Sequence, residues 1–368
     1  MSEKRIIISG GGTGGHIFPA ISIANSLKKI DPECEILFVG ALGRMEMEKV
    51  PAAGYKIVGL PVAGLKRELS VENLKLPFKI FKSLCQARKI VYDFDPDVAV
   101  GVGGYASGPV LWMASRMNIP ILIQEQNSYA GLTNRILGKK AKKICVAYEG
   151  MEKFFKAEKI ILTGNPVREG IVLINPQQKE EAYRYFELDP QKKTILIIGG
   201  SLGASTLNNC AKEWIRKGTQ ENIQLIWQYG SFYKNEIRDF ISANPKPNVK
   251  AFEFIKRMDY AYAIADVVIS RAGAGTISEL AVAGKASVLI PSPNVVKDHQ
   301  THNAMALVRK NAAIMIPDDE AVEKAFKAAV DLAEDENKRK ELETRISGMA
   351  IRNSAEIIAR EVLKLAEK

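Results

Sequence analysis

The sequence lacks any apolar run of about 18 residues, which is the length that a membrane-spanning helix requires. It also shows no apolar segment ahead of the strand predicted at Arg5–Ser9. We therefore expect neither a spanning helix nor a secretory signal.

Cysteine and histidine are scarce as well. The four cysteines are Cys34, Cys85, Cys145 and Cys210, and the three histidines are His16, His299 and His302. The cysteines lie far apart and form no C-x-x-C pair, so they indicate neither a disulfide framework nor a zinc site. The histidines are too scattered for a typical metal cluster. We expect a cytosolic protein without a metal or other cofactor.

The chain does contain an ordinary share of core-forming residues, since 46% are hydrophobic and 26% are charged. A chain of 368 residues exceeds one ordinary core, so two domains are predicted. The net charge of +10 indicates an acidic partner, which could be nucleic acid, anionic lipid or a phosphorylated substrate. The position of the charge decides between them.

One segment, residues 66–89, concentrates this charge, with seven basic residues against two acids. The basic residues are Lys66, Arg67, Lys75, Lys79, Lys82, Arg88 and Lys89, and the acids are Glu68 and Glu72. Leu74, Phe78 and Phe81 recur among them at helical spacing. Such a ridge suits an interfacial helix on an anionic bilayer, although the pattern alone favours an ordinary amphipathic helix packed on a core. No nucleic-acid-reading module accompanies the charge, so nucleic acid is not expected.

Glycine-rich loops follow several predicted strands. The first strand leads into GGGTGGH, in which Gly10, Gly12 and Gly15 formally satisfy the G-x-G-x-x-G pattern of a dinucleotide site. The next strand, however, ends in Gly40 and Ala41, where an NAD site requires an acidic residue for the ribose. The loop therefore does not indicate NAD.

His16 ends this loop at the entrance of a helix predicted from Pro19 to Lys29. Its side chain is expected to face the carboxyl ends of the strands. Two interpretations are open, namely a structural imidazole bonded to a backbone carbonyl and a catalytic group.

A second unit of strand, loop and helix begins at Thr194. The strand is followed by GGSLGA, in which Ser201 adds a hydroxyl to the backbone amides, and a helix starts at Ser205. This arrangement is typical of a diphosphate cradle. The loop lacks the G-K-[ST] ending of a P-loop and so does not indicate ATP hydrolysis.

A third loop of this kind lies between Ala265 and Glu279. Residues 267–269 form a buried strand, small residues follow, and Thr276 with Glu279 has the S/T-x-x-E form of a capping box. Amides at such a helix start bind anions and sugar hydroxyls. The alternative is that the glycines only let the chain turn and Glu279 only caps the helix.

The alternation of strands, loops and helices predicts parallel sheets with helices on both faces. Because both halves begin with the same strand and glycine-rich turn, we expect two similar α/β domains, with doubly wound parallel sheets, that face each other across a cleft. The predicted divisions are an N-terminal domain at 1–163, a polar, irregular linker region at 164–193, a C-terminal domain at 194–350, and a C-terminal helix at 351–368 that packs back on the N-terminal domain.

The loops together form an ordered set of motifs. They are GGTGGH, GGYASGP, EQN with AGLTN, GNPVR, GGSLGA, FI followed by M, ADVVISRAGAGTISE, and DHQ followed by NA. This order, over nearly the whole chain, resembles the MurG family of peptidoglycan glycosyltransferases. The resemblance implies the GT-B fold of two Rossmann-like domains, with the acceptor on the N-terminal half and the nucleotide mostly on the C-terminal half. It also implies transfer of GlcNAc from UDP-GlcNAc to lipid I, the undecaprenyl-pyrophosphoryl-MurNAc-pentapeptide, which makes lipid II.

The resemblance further implies which residues bind the sugar donor, UDP-GlcNAc. They are Thr13, Gly14, Gly15, Asn127, Arg168, Ser201, Ile255, Ala274, Gly275, Thr276, Ile277, Ser278, Glu279 and Gln300. Arg168 and Ser201 would meet the diphosphate, and Glu279 would accept the ribose hydroxyls. The backbone of Ile255 would contact the uracil edge, and Gln300 would bind GlcNAc hydroxyls.

The implied reaction is an inverting transfer, in which the muramyl 4-hydroxyl attacks the anomeric carbon of GlcNAc from the face opposite UDP. It requires a base for that hydroxyl and stabilisation of the departing diphosphate. His16 is our candidate for the base, because it is the only histidine on the acceptor-side glycine loop, and Glu125 is the rival. Helix N-termini, with Ser201 and Arg168, would stabilise the leaving group without a metal ion.

The family also makes the basic segment a candidate for docking on the cytoplasmic side of the inner membrane, where the lipid-linked acceptor lies. The residues in question are Leu74, Lys75, Phe78, Lys79, Phe81 and Lys82. Another GT-B lipid glycosyltransferase, such as a diacylglycerol glycosyltransferase, is the alternative. Three positions depart from the family pattern: Gln124 stands in place of His, Leu202 in place of Gln, and Gly275 in place of a larger residue.

Overall fold

Buried strands alternate with helices in two units of the chain. The computed structural model describes residues 3–62, 76–171, 175–295 and 298–367. The first unit comprises Met1–Val167 together with Ile351–Lys368, and the second comprises Arg168–Ala350. Each unit has its own sheet and its own hydrophobic core.

Seven parallel strands form the sheet of the first unit within the described residues. They are β1 (Arg5–Ser9), β2 (Glu35–Ala41), β3 (Lys56–Leu60), β4 (Val98–Gly101), β5 (Ile121–Glu125), β6 (Lys143–Val146) and β7 (Ile160–Leu162), in the order β3-β2-β1-β4-β5-β6-β7. In register, Ile7 of β1 pairs with Leu37 of β2 and with Ala99 of β4. The strand order therefore reverses between β1 and β4, which is where open α/β sheets bind ligands.

The helices of this unit follow the strands. They are α1 (Gly14–Ile30), α2 (Glu46–Ala52), α3 (Leu76–Phe94), α4 (Ser107–Arg116) and α5 (Leu132–Gly138), with 3₁₀ helices at Met151–Lys153 and Ala157–Lys159. The predicted start of α1 at Pro19 is wrong, because Thr13 already has the extended backbone of an N-cap and Pro19 lies inside the helix. As a result, His16 lies in the first turn of α1.

Six parallel strands form the sheet of the second unit in the described part of the chain. They are β8 (Lys193–Ile198), β9 (Ile223–Gln228), β10 (Val249–Phe252), β11 (Val267–Ser270), β12 (Ala286–Leu289) and β13 (Ile314–Met315), in the order β10-β9-β8-β11-β12-β13. Ile197 of β8 pairs with Trp227 of β9 and with Ile269 of β11. The prediction of two Rossmann-like, doubly wound parallel sheets is confirmed.

The helices of the second unit include one that was not predicted. They are α6 (Pro176–Phe186), α7 (Ser205–Lys217), α8 (Lys234–Ala243), α9 (Met258–Ile264), α10 (Ala274–Ala283), α11 (His299–Val308), α12 (Ala321–Glu334) and α13 (Glu336–Ser347), with 3₁₀ helices at Glu169–Ile171 and Ser231–Tyr233. The prediction that residues 164–193 are irregular is wrong, because α6 lies there. Its start is a capping box, in which Asn175 and Gln178 each accept a hydrogen bond from the other's backbone N–H, and Pro176 is the first helical residue.

The last helix, α14 (Ser354–Ala366), belongs to the first unit. It packs on α1, and its residues Ile358 and Val362 join the core cluster that contains Ile8 and Ile23. The chain thus returns to the first unit after it has completed the second.

Candidate active site

The side chains of interest lie at the carboxyl ends of the parallel strands, where loops lead into helix N-termini. In the first unit these are the loops after β1, β4 and β5, and in the second they are the loops after β8 to β12. Open α/β sheets bind ligands at this edge, because the first amides of each helix have no partner within the helix.

In the second unit, the GGSLGA loop after β8 packs directly on the loop after β9. Gly203 has a φ of +89°, and a Cβ built there would lie 2.1 Å from the carbonyl oxygen of Tyr229. Ser231 N–H donates to the carbonyl of Ser201 at 3.1 Å. Only glycine allows this approach of the two backbones, and the contact fixes the backbone at Ser201.

The N-terminus of α10 follows β11 directly, with Gly273 as the N-cap. The first intrahelical hydrogen bond runs from Ile277 N–H to the Gly273 carbonyl, at 3.0 Å. The amides of Ala274, Gly275 and Thr276 precede it, and none of the described residues supplies an acceptor for them. Three such amides, with the positive end of the helix dipole, form a site suited to an anion.

The capping box predicted from Thr276 and Glu279 is wrong. Because Ala274 and the residue after it already have helical backbone, Thr276 lies in the first turn and Glu279 in the second. The side chain of Ile277 is 3% exposed, and the hydroxyl of Ser278 donates to the Ala274 carbonyl at 3.0 Å. The site that these residues provide is therefore mostly one of backbone amides.

Glu279 is held by Arg168 and Tyr262. Its Oε1 lies 3.1 Å from Nε of Arg168, and its Oε2 accepts a hydrogen bond from the Tyr262 hydroxyl at 3.2 Å. Burial raises the pKa of Glu279, and Arg168 and Tyr262 oppose that rise. Burial, and then Glu279, raises the pKa of Tyr262 well above its ordinary value, so this residue remains a donor. The structure thus brings together the two side chains that were assigned to the diphosphate and the ribose.

Two further residues that were predicted to bind the sugar donor, Ile255 and Gln300, already form hydrogen bonds within the unit. Ile255 N–H donates to Oε1 of Gln228 at 2.9 Å, and Ser292 N–H donates to Oε1 of Gln300 at 2.9 Å. Within the described residues, no group donates to the Ile255 carbonyl and none accepts from the Gln300 amide nitrogen. The Ile255 carbonyl and the Gln300 amide nitrogen are therefore the groups of these two residues that suit a ligand.

Arg271 was not predicted as a site residue, yet it joins three loops of this edge. Its guanidinium pairs with Asp318, which follows β13, and donates to the carbonyls of Ile290 at 3.2 Å and Pro291 at 3.3 Å, which follow β12. Asp318 also accepts a hydrogen bond from the Thr206 hydroxyl of α7 at 3.0 Å. The planar fork of an arginine suits such a junction, because it donates in several fixed directions.

The two departures from the family pattern in this unit lie in open space. Leu202 is 69% exposed, and a Cβ built on Gly275 would meet no atom within 4 Å. Neither side-chain position belongs to the contacts that hold Glu279 and Arg168.

In the first unit, His16 lies with its imidazole against the loop after β4. Its Nδ1 is 3.2 Å from Oγ1 of Thr13, the N-cap of the same helix. A Cβ built on Gly103, which has a φ of +93°, would lie 2.6 Å from Cδ2 of the imidazole. Pairing of Nδ1 with a hydroxyl fixes the orientation of the ring.

Replacement of Gly103 by Ala should displace the imidazole of His16, because the added methyl would overlap the ring. We expect kcat in a transfer assay to fall about a hundredfold, because a displacement of about 1 Å at a reacting group has an effect of this size. Gly43→Ala is the matched control, since Gly43 has a φ of +71° but nothing within 4 Å of its Cβ. Both variants should lose thermal stability through backbone strain, and only Gly103→Ala should lose kcat. Equal kcat values in the two variants would contradict this role of the ring position.

Glu46 of α2 is a second residue that was not predicted. It is fully buried, and its carboxylate accepts hydrogen bonds from the N–H groups of Gly12 and Ala41, each at 2.9 Å. A Cβ built on Gly11 would lie 2.2 Å from its Oε1. In a dinucleotide site, the amides of this loop face the diphosphate. Here the Glu46 carboxylate accepts a hydrogen bond from one of those amides, that of Gly12. This arrangement agrees with the argument against NAD.

Glu125, the rival candidate for the base, is the last residue of β5 and is 3% exposed. Its carboxylate accepts hydrogen bonds from the N–H groups of Asn127 and Gly131, both at 3.0 Å, and from Nδ2 of Asn134 at 2.9 Å. These hydrogen bonds tie the carboxylate to the loop after β5 and to α5. Glu125 therefore shapes the loop that carries Asn127.

Gln124, the departure from His in this unit, belongs to a buried amide network. Its Nε2 donates to Oδ1 of Asn165 at 2.8 Å, and its Oε1 accepts from Nε2 of Gln126 at 2.8 Å. The same nitrogen of Gln126 also donates to the Val102 carbonyl at 2.8 Å. A glutamine keeps this network uncharged over about pH 5 to 8, where a histidine would titrate.

The predicted membrane residues are described only in part. Leu74 and Lys75 lie outside the described residues. Phe78 and Lys79 lie on α3, but their side chains are not among those that the structure describes. Phe81 is 68% exposed, and Lys82 is exposed as well.

The remainder of α3 has the two faces of an amphipathic helix. Ala87 and Val91 are buried in the core of the first unit, whereas Ile80 and Phe81 are 49% and 68% exposed. The described part of this helix thus has a core face, as an ordinary amphipathic helix does. In the described ranges, no helix is both long and apolar enough to cross a bilayer.

Two family models match the chain. The Glycosyltransferase family 28 N-terminal domain matches residues 6–146, and the Glycosyltransferase family 28 C-terminal domain matches residues 194–360. The fold and these matches define a glycosyltransferase that uses a nucleotide-linked sugar.

Comparison with individual proteins narrows this class. Proteins of Phocaeicola vulgatus and Parabacteroides distasonis are 58% and 55% identical over 99% and 100% of this chain and over 97% and 100% of their own lengths. Both are named UDP-N-acetylglucosamine--N-acetylmuramyl-(pentapeptide) pyrophosphoryl-undecaprenol N-acetylglucosamine transferase. The crystal structure of Acinetobacter baumannii MurG is 29% identical with a TM-score of 0.75, and the match covers 98% of this chain and 99% of that one. The chain belongs to the MurG family, as its ordered motifs predict.

Proposed function

We propose that this protein transfers GlcNAc from UDP-GlcNAc to the 4-hydroxyl of MurNAc in lipid I and thereby makes lipid II. The observation that carries the proposal is the cluster of Glu279, Arg168 and Tyr262 on and beside α10. It combines a carboxylate suited to a diol with a guanidinium and helix amides suited to an anion, which are the recognition groups for a nucleoside diphosphate. The name of the relatives, at 55% identity or more over nearly the full chain, supports GlcNAc as the sugar and lipid I as the acceptor.

Departure of UDP requires positive charge around the diphosphate. The first amides of α10 supply the partial charge of a helix N-terminus, Arg168 supplies a full charge, and Ser201 supplies a hydroxyl. Before the donor binds, Arg168 is paired with Glu279. A bound diphosphate therefore brings a second anion to a guanidinium that one carboxylate already orients.

Attack on the anomeric carbon requires a base for the muramyl hydroxyl. His16 takes that proton on Nε2, while Thr13 holds the opposite ring nitrogen. The hydroxyl oxygen forms the new bond as the bond from the anomeric carbon to UDP breaks. The configuration at that carbon is inverted.

The direct test is a transfer assay with UDP-GlcNAc and either lipid I, diacylglycerol or no acceptor. We expect release of UDP and a product heavier by one GlcNAc residue with lipid I alone. Transfer to diacylglycerol and not to lipid I would replace the proposal with a different lipid glycosyltransferase. Equal UDP release with and without lipid I would reject the acceptor.

The proposal includes docking of the first unit on the anionic, cytoplasmic surface of the inner membrane. Besides Ile80 and Phe81 of α3, two exposed apolar residues lie one turn apart on α5, Leu132 at 63% and Ile136 at 49% exposure. α4 packs against both α3 and α5. Exposed basic residues also lie on or next to these elements. They include Lys82, Arg88 and Lys89 of α3, Arg116 of α4, and Lys139 and Lys140 directly after α5. Exposed apolar side chains together with basic residues suit the headgroup region of such a membrane.

Phe81→Ser should weaken binding to vesicles of phosphatidylglycerol and phosphatidylethanolamine by about tenfold, because a buried phenylalanine contributes about 1.5–3 kcal/mol. Activity on a water-soluble acceptor should not change. The matched control is Phe232→Ser in the second unit, where Phe232 is 80% exposed. Sedimentation with vesicles measures the binding. Equal partitioning of the two variants would remove Phe81 from the docking surface.

A further inference from the structure

Gln228, the last residue of β9, connects the two loops that the proposed function assigns to the phosphate and base ends of the donor. Its side-chain Nε2 donates to the carbonyl of Gly200 in the GGSLGA loop at 3.0 Å. Its Oε1 accepts from the N–H of Ile255, in the loop after β10, at 2.9 Å. Gln228 is 4% exposed, its bond to Ile255 is buried, and its bond to Gly200 is partly buried. Buried bonds of this kind are costly to leave unmade.

We propose that Gln228 is a positioning residue that sets the separation between the diphosphate and base subsites and thereby contributes to selection of the uracil base. This inference rests on the donor assignment made above. Gly200 immediately precedes Ser201, and Ile255 carries the backbone assigned to the uracil edge. One rigid amide with bonds to both loops holds them at a fixed distance before the nucleotide arrives. A site that is preorganised in this way loses less free energy on binding.

The same contact decides which backbone group of Ile255 meets the base. Because Gln228 occupies the N–H of Ile255, and none of the described residues donates to its carbonyl, the carbonyl is the backbone group of this residue that suits a ligand. A carbonyl accepts from the N3–H of uracil, whereas N3 of cytosine has no proton to donate. Gln228 therefore favours UDP over CDP without contact with either base.

Two substitutions separate the two hydrogen bonds. Gln228→Met keeps a similar side-chain volume but forms neither hydrogen bond, so the N–H of Ile255 becomes available to a ligand. Gln228→Glu can still accept from Ile255 but cannot donate to Gly200. We expect the methionine variant to bind UDP about tenfold more weakly. We also expect a smaller ratio of the Kd for CDP to the Kd for UDP, which means weaker selection of UDP. We expect the glutamate variant to bind UDP more weakly while its CDP to UDP ratio stays near that of the unmodified protein.

Gln224→Met is the matched control on the same strand. Gln224 is 1% exposed and makes equally buried bonds, to the carbonyl of Asp189 at 2.8 Å and to Oγ1 of Thr194 at 2.9 Å, near the amino end of the sheet. Its loss should reduce thermal stability as that of Gln228 does, but should leave both nucleotide affinities within about twofold.

Titration calorimetry with UDP and CDP, together with donor KM and kcat at saturating lipid I, measures these effects. The proposal requires that Gln228→Met raises KM for UDP-GlcNAc with little change in kcat. If the unmodified protein fails to bind UDP, the donor assignment itself is wrong. If it binds UDP but Gln228→Met and Gln224→Met have the same UDP and CDP affinities, the inference about Gln228 alone is overturned.

Discussion

His16→Ala is expected to lower kcat by about 10²- to 10⁴-fold, which is the usual contribution of a positioned general base. The physical reason is that the muramyl hydroxyl then has no group to take its proton while the bond to GlcNAc forms. The Kd for UDP-GlcNAc should stay the same, because the proposed donor contacts lie mainly in the second unit. Single-turnover transfer with lipid I measures the chemical step directly.

Thr13→Val provides the companion variant, since it keeps the shape of the N-cap residue and removes the hydroxyl that pairs with Nδ1. It should lower kcat less than His16→Ala does, because the imidazole remains but is less well oriented. Near-normal turnover by His16→Ala, with normal donor binding, would exclude His16 as the base.

Glu279→Gln is expected to reduce kcat/KM for UDP-GlcNAc by about a hundredfold, mostly through KM. A carboxylate that accepts two ribose hydroxyls makes charged hydrogen bonds of about 1.5–3 kcal/mol each, and the amide retains only part of this free energy. The substitution also leaves Arg168 without its anionic partner. Initial rates at varied donor concentration, with lipid I held at saturation, measure the effect.

The pH dependence of donor binding tests the same residue. Only ionised Glu279 accepts both hydroxyls, and burial raises its pKa, so donor affinity should fall on acidification at a higher pH than for an exposed glutamate. The Tyr262 hydrogen bond opposes that rise, and Tyr262→Phe should therefore move the loss of affinity to a still higher pH. An unchanged pH profile in Tyr262→Phe would show that donor binding does not depend on the ionisation of Glu279.

Much of the fold could be predicted because its signals are local. Runs such as Arg5–Ser9 and Lys193–Ile198, each followed by a glycine-rich loop, specify a buried parallel strand that leads into a helix. The helix at Pro176–Phe186 was missed because its polar sequence resembles a linker, although its capping box is also a local signal.

The candidate site was predicted less completely, because its contacts are distant in sequence. The S/T-x-x-E spacing of Thr276 and Glu279 suggested a capping role for Glu279 that the helix start at Ala274 excludes. Its pairing with Arg168 and Tyr262 depends on how α10 packs against neighbouring segments. Glu46 has no motif that marks it, and its contact with the glycine-rich loop is visible only in the folded unit.

A crystal structure of the protein with UDP-GlcNAc tests the donor assignment most directly. It should show the ribose hydroxyls within hydrogen-bond distance of the Glu279 carboxylate and the diphosphate at the first amides of α10, with Arg168 beside it. A nucleotide bound instead at the Gly10 to Gly15 loop of the first unit, with Glu46 displaced from the amides it now occupies, would contradict the proposed mechanism.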